Sequence, residues 1–186
     1  MGFVRIVGGD LRGRRIRVPD RGVRPTAART REAVFDVLGP RAVQRARVLD
    51  LYAGTGALGI EALSRGAAEA TFLERNRAVA RALRENLARL GLSDRASVQE
   101  ADLSRVELPP GVLGPFDLVF LDPPYEGGAG PRWLERLADL PWPEEGGLVV
   151  YERQKGTEAR EPPAFQLATE RTYSDTTVAF YRARCK

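Results

Sequence analysis

The tetrapeptide Asp122-Pro123-Pro124-Tyr125 carries the most specific chemistry in this chain of 186 residues. It follows the apolar run 116–121 and so stands at the carboxyl end of a buried strand, beyond which open α/β sheets place their ligands. Two prolines remove two N–H donors and stiffen the turn, so that carbonyls face outward. Asp122 adds a further acceptor and Tyr125 a flat ring. Two acceptors beside a ring suit an aromatic amine, whose exocyclic –NH2 donates twice while the base stacks. Hydrogen bonds to both amine protons turn the nitrogen lone pair out of conjugation and toward an electrophile. A purely structural Pro-Pro turn is the plainer alternative, and a second motif upstream weighs against it.

That motif is Asp50-Leu51-Tyr52-Ala53-Gly54-Thr55-Gly56-Ala57-Leu58-Gly59, between an apolar strand and a helix. Gly54, Gly56 and Gly59 satisfy GxGxxG, and Glu74 lies 20 residues past Gly54 at the next strand end. This spacing fits a dinucleotide loop. It also fits a tight strand–helix turn that merely needs positive φ. Asp50 discriminates between ligands. A carboxylate beside the loop repels a pyrophosphate and attracts an ammonium and a sulfonium. S-adenosylmethionine carries both of those cations, and its ribose diol suits Glu74. Asp102, at the end of the third strand, is expected near the adenine, although a surface turn would use the same residue. Tyr52, Arg75 and Leu103 flank these positions and complete the expected cofactor set.

Composition narrows the chemistry further. The chain has no histidine and one cysteine, Cys185. Catalysis by Ser-His-Asp or Cys-His groups, structural zinc, iron–sulfur clusters and internal disulfides are excluded, and no metal site is expected. Only Lys155 and Lys186 are lysines among 29 basic residues, which argues against Schiff-base chemistry. The charge is uneven. Residues 1–31 hold nine arginines against Asp10 and Asp20, a net of +7, while the rest of the chain carries −3. A basic arm on a mildly acidic body suits a polyanionic partner, although an arginine-rich solvated surface has the same composition. Neither a signal peptide nor an apolar run long enough to span a membrane is evident, so a cytoplasmic protein is expected.

The elements that must position these motifs follow from periodicity. Residues 4–7 and 14–18 read as a hairpin turning at Gly8-Gly9-Asp10. Arg24-Pro25-Thr26 opens a helix with the apolar face Ala33, Val34, Val37 and Leu38, stopped by Gly39-Pro40, with Arg29 and Arg31 away from that face. Strands then alternate with helices: strands at 48–49, 70–73, 96–98, 116–121 and 148–151, and helices after Gly56, across 79–90 and across 131–140. Such alternation predicts a parallel sheet covered on both faces. Segments 165–173 and 176–182 read as an antiparallel edge hairpin. The Pro/Gly clusters between elements are loops too short to link domains.

Together these motifs resemble the class I S-adenosylmethionine-dependent methyltransferases, and among them the amino-group enzymes with an (Asp/Asn)-Pro-Pro-(Tyr/Phe) motif. Residues 5–14, RIVGGDLRGR, and 24–32, RPTAARTRE, resemble the opening of the RsmD family. One departure is Asp10-Leu11, where an aromatic often precedes Arg-Gly-Arg. The resemblance implies a Rossmann-like α/β fold with a seven-stranded, mostly parallel sheet, a C-terminal antiparallel hairpin and a small N-terminal β-hairpin extension. It implies transfer of a methyl group to the N2 amine of one guanine in 16S ribosomal RNA, free or within an assembling small subunit; no apolar stripe in the sequence demands a partner, so a monomer is expected. Asp50, Gly54 and Gly56 would border the methionine part of the cofactor, Glu74 the ribose and Asp102 the adenine. Asp122, Pro123, Pro124 and Tyr125 would hold the guanine amine. Residues 1–23 are read as a basic arm and 24–186 as the methyltransferase domain. Arg5, Arg12, Arg14, Arg15, Arg24 and Arg29 are the expected RNA contacts. Methylation of adenine N6 in DNA or RNA, and a non-catalytic RNA-binding role in assembly, are the alternative readings.

Overall fold

A computed structural model describes residues 2–19, 28–112, 114–124, 128–142, 146–158 and 160–184. Arg24, Tyr125 and Cys185 lie outside the described residues, as does the expected helix opening at Arg24-Pro25-Thr26.

Seven strands form one sheet in the order β5-β4-β3-β6-β7-β9-β8, and two more form a separate hairpin. The strands β3 (Arg47–Leu51), β4 (Glu69–Glu74), β5 (Ala96–Glu100, at one edge), β6 (Leu118–Leu121) and β7 (Leu148–Gln154) run parallel. β9 (Thr176–Ala183) pairs antiparallel with both β7 and β8 (Phe165–Tyr173). All four residues of β6 are buried, because both faces of the sheet are covered. Alternation along each strand divides the core in two. Val48, Phe72, Phe120 and Val150 face the helices α1 (Ala28–Val43), α2 (Ala57–Ser64) and α3 (Arg77–Leu90). Leu49, Leu51, Leu73 and Leu121 face α4 (Ala129–Leu137), which buries Trp133, Leu134 and Leu137.

α3 shows how locally these elements are specified. The Asn76 side chain caps it, accepting from Ala78 N at 3.0 Å and Val79 N at 3.2 Å. Val79, Leu83, Leu87 and Leu90 form its buried stripe, and Gly91 ends it at φ 73°. In the hairpin, β1 (Gly2–Arg5) pairs with β2 (Arg15–Val18), and Val4, Ile6, Ile16 and Val18 join the core on the α2–α3 side.

Several boundaries and one face differ from expectation. β1 begins and ends two residues earlier than the run 4–7, and α4 starts at Ala129 inside what reads as a loop. Gly39 breaks the helix at φ 67°, as its position before Pro40 suggests, yet helical turns resume to Val43. The buried face of α1 is Arg31, Val34, Phe35 and Val43, whereas Val37 is exposed. Arg31, expected on the outer side, is fully buried because Glu61 of α2 lies beneath it, Nε to Oε2 3.6 Å.

Candidate active site and nucleic-acid face

The chain leaves β3 through α2 to β4 and through α3 to β5, then crosses back to β6 on the other side of β3. This reversal creates a crevice at the carboxyl ends of β3 and β6, the usual ligand position of an open α/β sheet. Leu51 is in register with both Leu73 and Leu121. Tyr52, Glu74 and Asp122, the next residue on each strand, therefore start from one level of one edge. Glu74 is in register with Glu100, so Asp102 and Leu103 follow along the same edge.

The glycine loop is built from left-handed backbone: Tyr52 at φ 60°, Gly54 at 52° and Gly56 at 74°. A left-handed non-glycine residue costs roughly 1–3 kcal/mol, so surrounding contacts must impose the geometry at Tyr52. They do. The Tyr52 hydroxyl donates to the Leu103 carbonyl at 3.2 Å and accepts from Trp133 Nε1 at 2.9 Å. Trp133 Nε1 also donates to the Leu103 carbonyl at 3.0 Å. Burial raises the Tyr52 pKa, against the opposing pull of the Trp133 N–H. Two members of the expected cofactor set, Tyr52 and Leu103, are thus joined by a third residue, Trp133, which falls within the expected helix 131–140 and which no sequence signal singled out.

Glu74 and Asp50 hold the loop from below and beside it. Glu74 Oε2 accepts from Gly54 N at 3.0 Å, and Oε1 accepts from Asn76 N at 2.7 Å. Asp50 is 2% exposed, and its Oδ2 accepts from Gly59 N at 3.0 Å, satisfying one N–H of the first turn of α2. Burial pushes the Asp50 pKa up to about 8; the Gly59 N–H opposes this and the charge of Glu74 adds to it. Gly59 packs too closely for any side chain, since a Cβ there would stand 2.3 Å from Phe72 Cε1. Its place in the motif is explained by helix–strand packing alone. Gly56 combines its positive φ with a close approach to Leu83.

Asp102 is exposed and accepts from Ser104 N at 3.0 Å, capping the short 3-10 turn Leu103–Arg105. That backbone bond, the Ser104 hydroxyl, and the nearby Arg75 and Arg105 hold its carboxyl below the usual range. Arg75 is exposed beside it. Asp122 is half-buried, Pro123 buried and Pro124 exposed. The structure therefore gathers Asp50, Tyr52, Gly54, Gly56, Glu74, Asp102, Leu103 and Asp122 along one edge.

The basic arm is fixed elsewhere. Arg5, Arg12, Arg14, Arg15 and Arg29 are all exposed. Glu61 is fully buried and accepts from Val7 N at 2.9 Å, Gly8 N at 2.7 Å and Arg65 Nε at 2.8 Å. Ser64 Oγ accepts from Leu11 N at 3.0 Å and donates to the Gly8 carbonyl at 2.6 Å. Asn86 of α3 holds both backbone groups of Arg17, accepting from its N and donating to its O, each at 2.9 Å. Arg31 donates to the Arg5 carbonyl. Helices that follow parallel strands run back from the ligand edge, so Ser64 stands at the far end of α2 from Gly56. At 1.5 Å per residue that is about 12 Å. The hairpin turn is therefore anchored away from the glycine loop. Glu61, Ser64 and Asn86 carry no local pattern that marks them as anchors.

The strand order, the antiparallel β9 and the glycine loop after β3 define the Rossmann-like methyltransferase fold. A family model described as "Conserved hypothetical protein 95" matches residues 4–182. The protein named Ribosomal RNA small subunit methyltransferase D in Escherichia coli is 42% identical over 154 residues, covering 82% of this chain and 76% of its own. The protein of that name in Haemophilus influenzae is 35% identical over 184 residues, covering 97% and 93%. The solved structure of the Escherichia coli yhhF protein superposes with a TM-score of 0.86 at 36% identity, covering all of both chains. The chain belongs to the family of the ribosomal RNA small subunit methyltransferase D.

Proposed function

We propose that this protein transfers the methyl group of S-adenosylmethionine to the N2 amine of a guanine in 16S ribosomal RNA. The observation that carries this reading is the alignment of Tyr52, Glu74 and Asp122 on one edge, with the glycine loop between them. The residues fit the cofactor. The Glu74 carboxylate is oriented by two N–H groups and keeps lone pairs for a ribose diol. Asp102, held ionised by Ser104, is open to an adenine amine. Asp50 gives a buried acid beneath the loop that a nearby cation would ionise. When bound, the cofactor supplies an electrophilic methyl group.

The chain's own residues then bind and align. Asp122 accepts one proton of the guanine amine and a carbonyl of the proline turn accepts the other, which aims the nitrogen lone pair. Pro123 and Pro124 offer no competing N–H. Tyr125 stacks on the base. Alignment of this kind supplies on the order of 7–11 kcal/mol of barrier lowering, so no histidine is needed. The amine proton passes to Asp122 or to solvent after transfer. A guanine N2 in a duplex lies in the minor groove, so the target is unpaired or flipped. Arg5, Arg12, Arg14, Arg15, Arg24 and Arg29 grip flanking phosphates, residues 1–23 serving as the RNA arm of the methyltransferase domain 24–186. The protein works as a cytoplasmic monomer on the small subunit or its precursors. No helix among the described residues is long and apolar enough to cross a membrane.

The test is incubation with labelled S-adenosylmethionine and either unmodified 16S RNA or subunits lacking the mark, followed by digestion to nucleosides. N2-methylguanosine at one mapped nucleotide is expected. N6-methyladenosine as the product, or no transfer to either substrate, overturns the reading.

A further inference from the structure

We infer that the outward face of the β1–β2 hairpin is a stacking platform for an unpaired base of the RNA, with Phe3 as its ring. The inference rests on the RNA-methylating reading and adds a nucleotide site remote from the target guanine. The pairing places Phe3 opposite Arg17 and Arg5 opposite Arg15. Val4, Ile16 and Val18 point inward and are buried, so Phe3, Arg5, Arg15 and Arg17 share the outer face. Phe3 is 50% exposed, and Val37 is the one other large apolar side chain exposed among the described residues. A lone exposed ring is unremarkable by itself. This ring is framed by three arginines, and the Arg15 guanidinium lies over it, 5.5 Å from the centroid.

Aromatic rings and guanidinium planes are the two surfaces on which proteins stack unpaired bases. The strand opposite the ring does not need ordering on binding, because Asn86 holds both backbone groups of Arg17. The only acid of the hairpin, Asp10, lies in the turn rather than on this face. A phosphate-flanked base therefore fits the platform better than the apolar surface of a protein. Stacking is indifferent to base identity, so the platform adds affinity and register rather than target choice.

Affinity for unmodified 16S RNA is measured by fluorescence anisotropy over a salt series, for the full chain and for F3A, F3L, F3W and R5Q. F3A and F3L should weaken binding by roughly 5- to 150-fold at every salt concentration and leave the slope of log K against log salt unchanged. F3W should match or exceed the parent. R5Q should flatten the slope by about 0.7. Unfolding midpoints of the Phe3 variants should stay with the parent, since the ring is half in water. F3L binding as tightly as the parent overturns the inference. So does full affinity for naked RNA with weakened binding only to assembled subunits, which assigns Phe3 to a protein contact. A parent chain with no RNA affinity overturns the RNA reading itself, and the platform with it.

Discussion

Replacing Glu61 with leucine removes a side chain that ties the basic arm and α1 to α2. The structure sets the size of the effect. Glu61 and Arg31 are both fully buried, and Glu61 also accepts from Val7 N, Gly8 N and Arg65. Removing one partner of a buried ion pair costs about 3–5 kcal/mol, because the other charge is left in a low-dielectric setting. Burial already lowers the Arg31 pKa, and Glu61 is the principal opposing influence. For a domain of this size about 1 kcal/mol moves the thermal midpoint by 2–4 °C, so a fall of roughly 6–20 °C is expected. R31M should cost less, about 1–3 kcal/mol, because Glu61 keeps two amide donors and Arg65. In the double variant R31M/E61L the orphaned cation is gone, so it should be more stable than the sum of the singles by at least about 1 kcal/mol. Urea titration with matched m-values gives the three numbers, and hydrogen exchange at Ile6 and Arg17 shows whether the hairpin opens first. Equal losses in E61L and R31M, or strict additivity, would refute the reasoning.

Three further outcomes follow from the site. The Asp50 carboxyl titrates near 8 in the folded chain and near the ordinary carboxyl range when unfolded, so its contribution is full in acid and lost as pH rises through about 8. D50N, whose amide oxygen can still accept from Gly59 N, should show a smaller drop in urea midpoint between pH 5 and pH 8; an unchanged pH profile would contradict the burial argument. G59A gains about 1 kcal/mol of helix propensity but forces a Cβ to 2.3 Å from Phe72 and 3.0 Å from Asp50 Oδ2. Overpacking at about 1–3 kcal/mol wins, and a thermal midpoint at or above the parent's would show that α2 shifts freely. D122A should abolish methyl transfer while a cofactor titration stays nearly unchanged, and retained turnover would remove Asp122 from the proposed role.

The parts legible in advance are those whose cause is local. The amphipathic stripe of α3 and its stop at Gly91, the buried run of β6 and the closing hairpin β8–β9 emerge within a residue or two of expectation, because side-chain period and end signals lie within one element, whereas the Asn76 cap went unread. The GxGxxG spacing is also local, yet its glycines divide by cause. Gly54 and Gly56 take positive φ, while Gly59 is required by Phe72, a residue of the next strand.

The amino-acid sequence by itself determined the alternation of strands and helices, the edge that carries the two motifs, and the concentration of arginine in the first 31 residues. Only the tertiary structure decided that Arg31 is a buried partner of Glu61, that Trp133 braces Tyr52 from 81 positions away, and that the arm is anchored at the far ends of α2 and α3. Periodicity reports which face of an element is apolar. It does not report which polar group from a distant element will be pressed against that face, where desolvation makes a hydrogen-bonded partner obligatory.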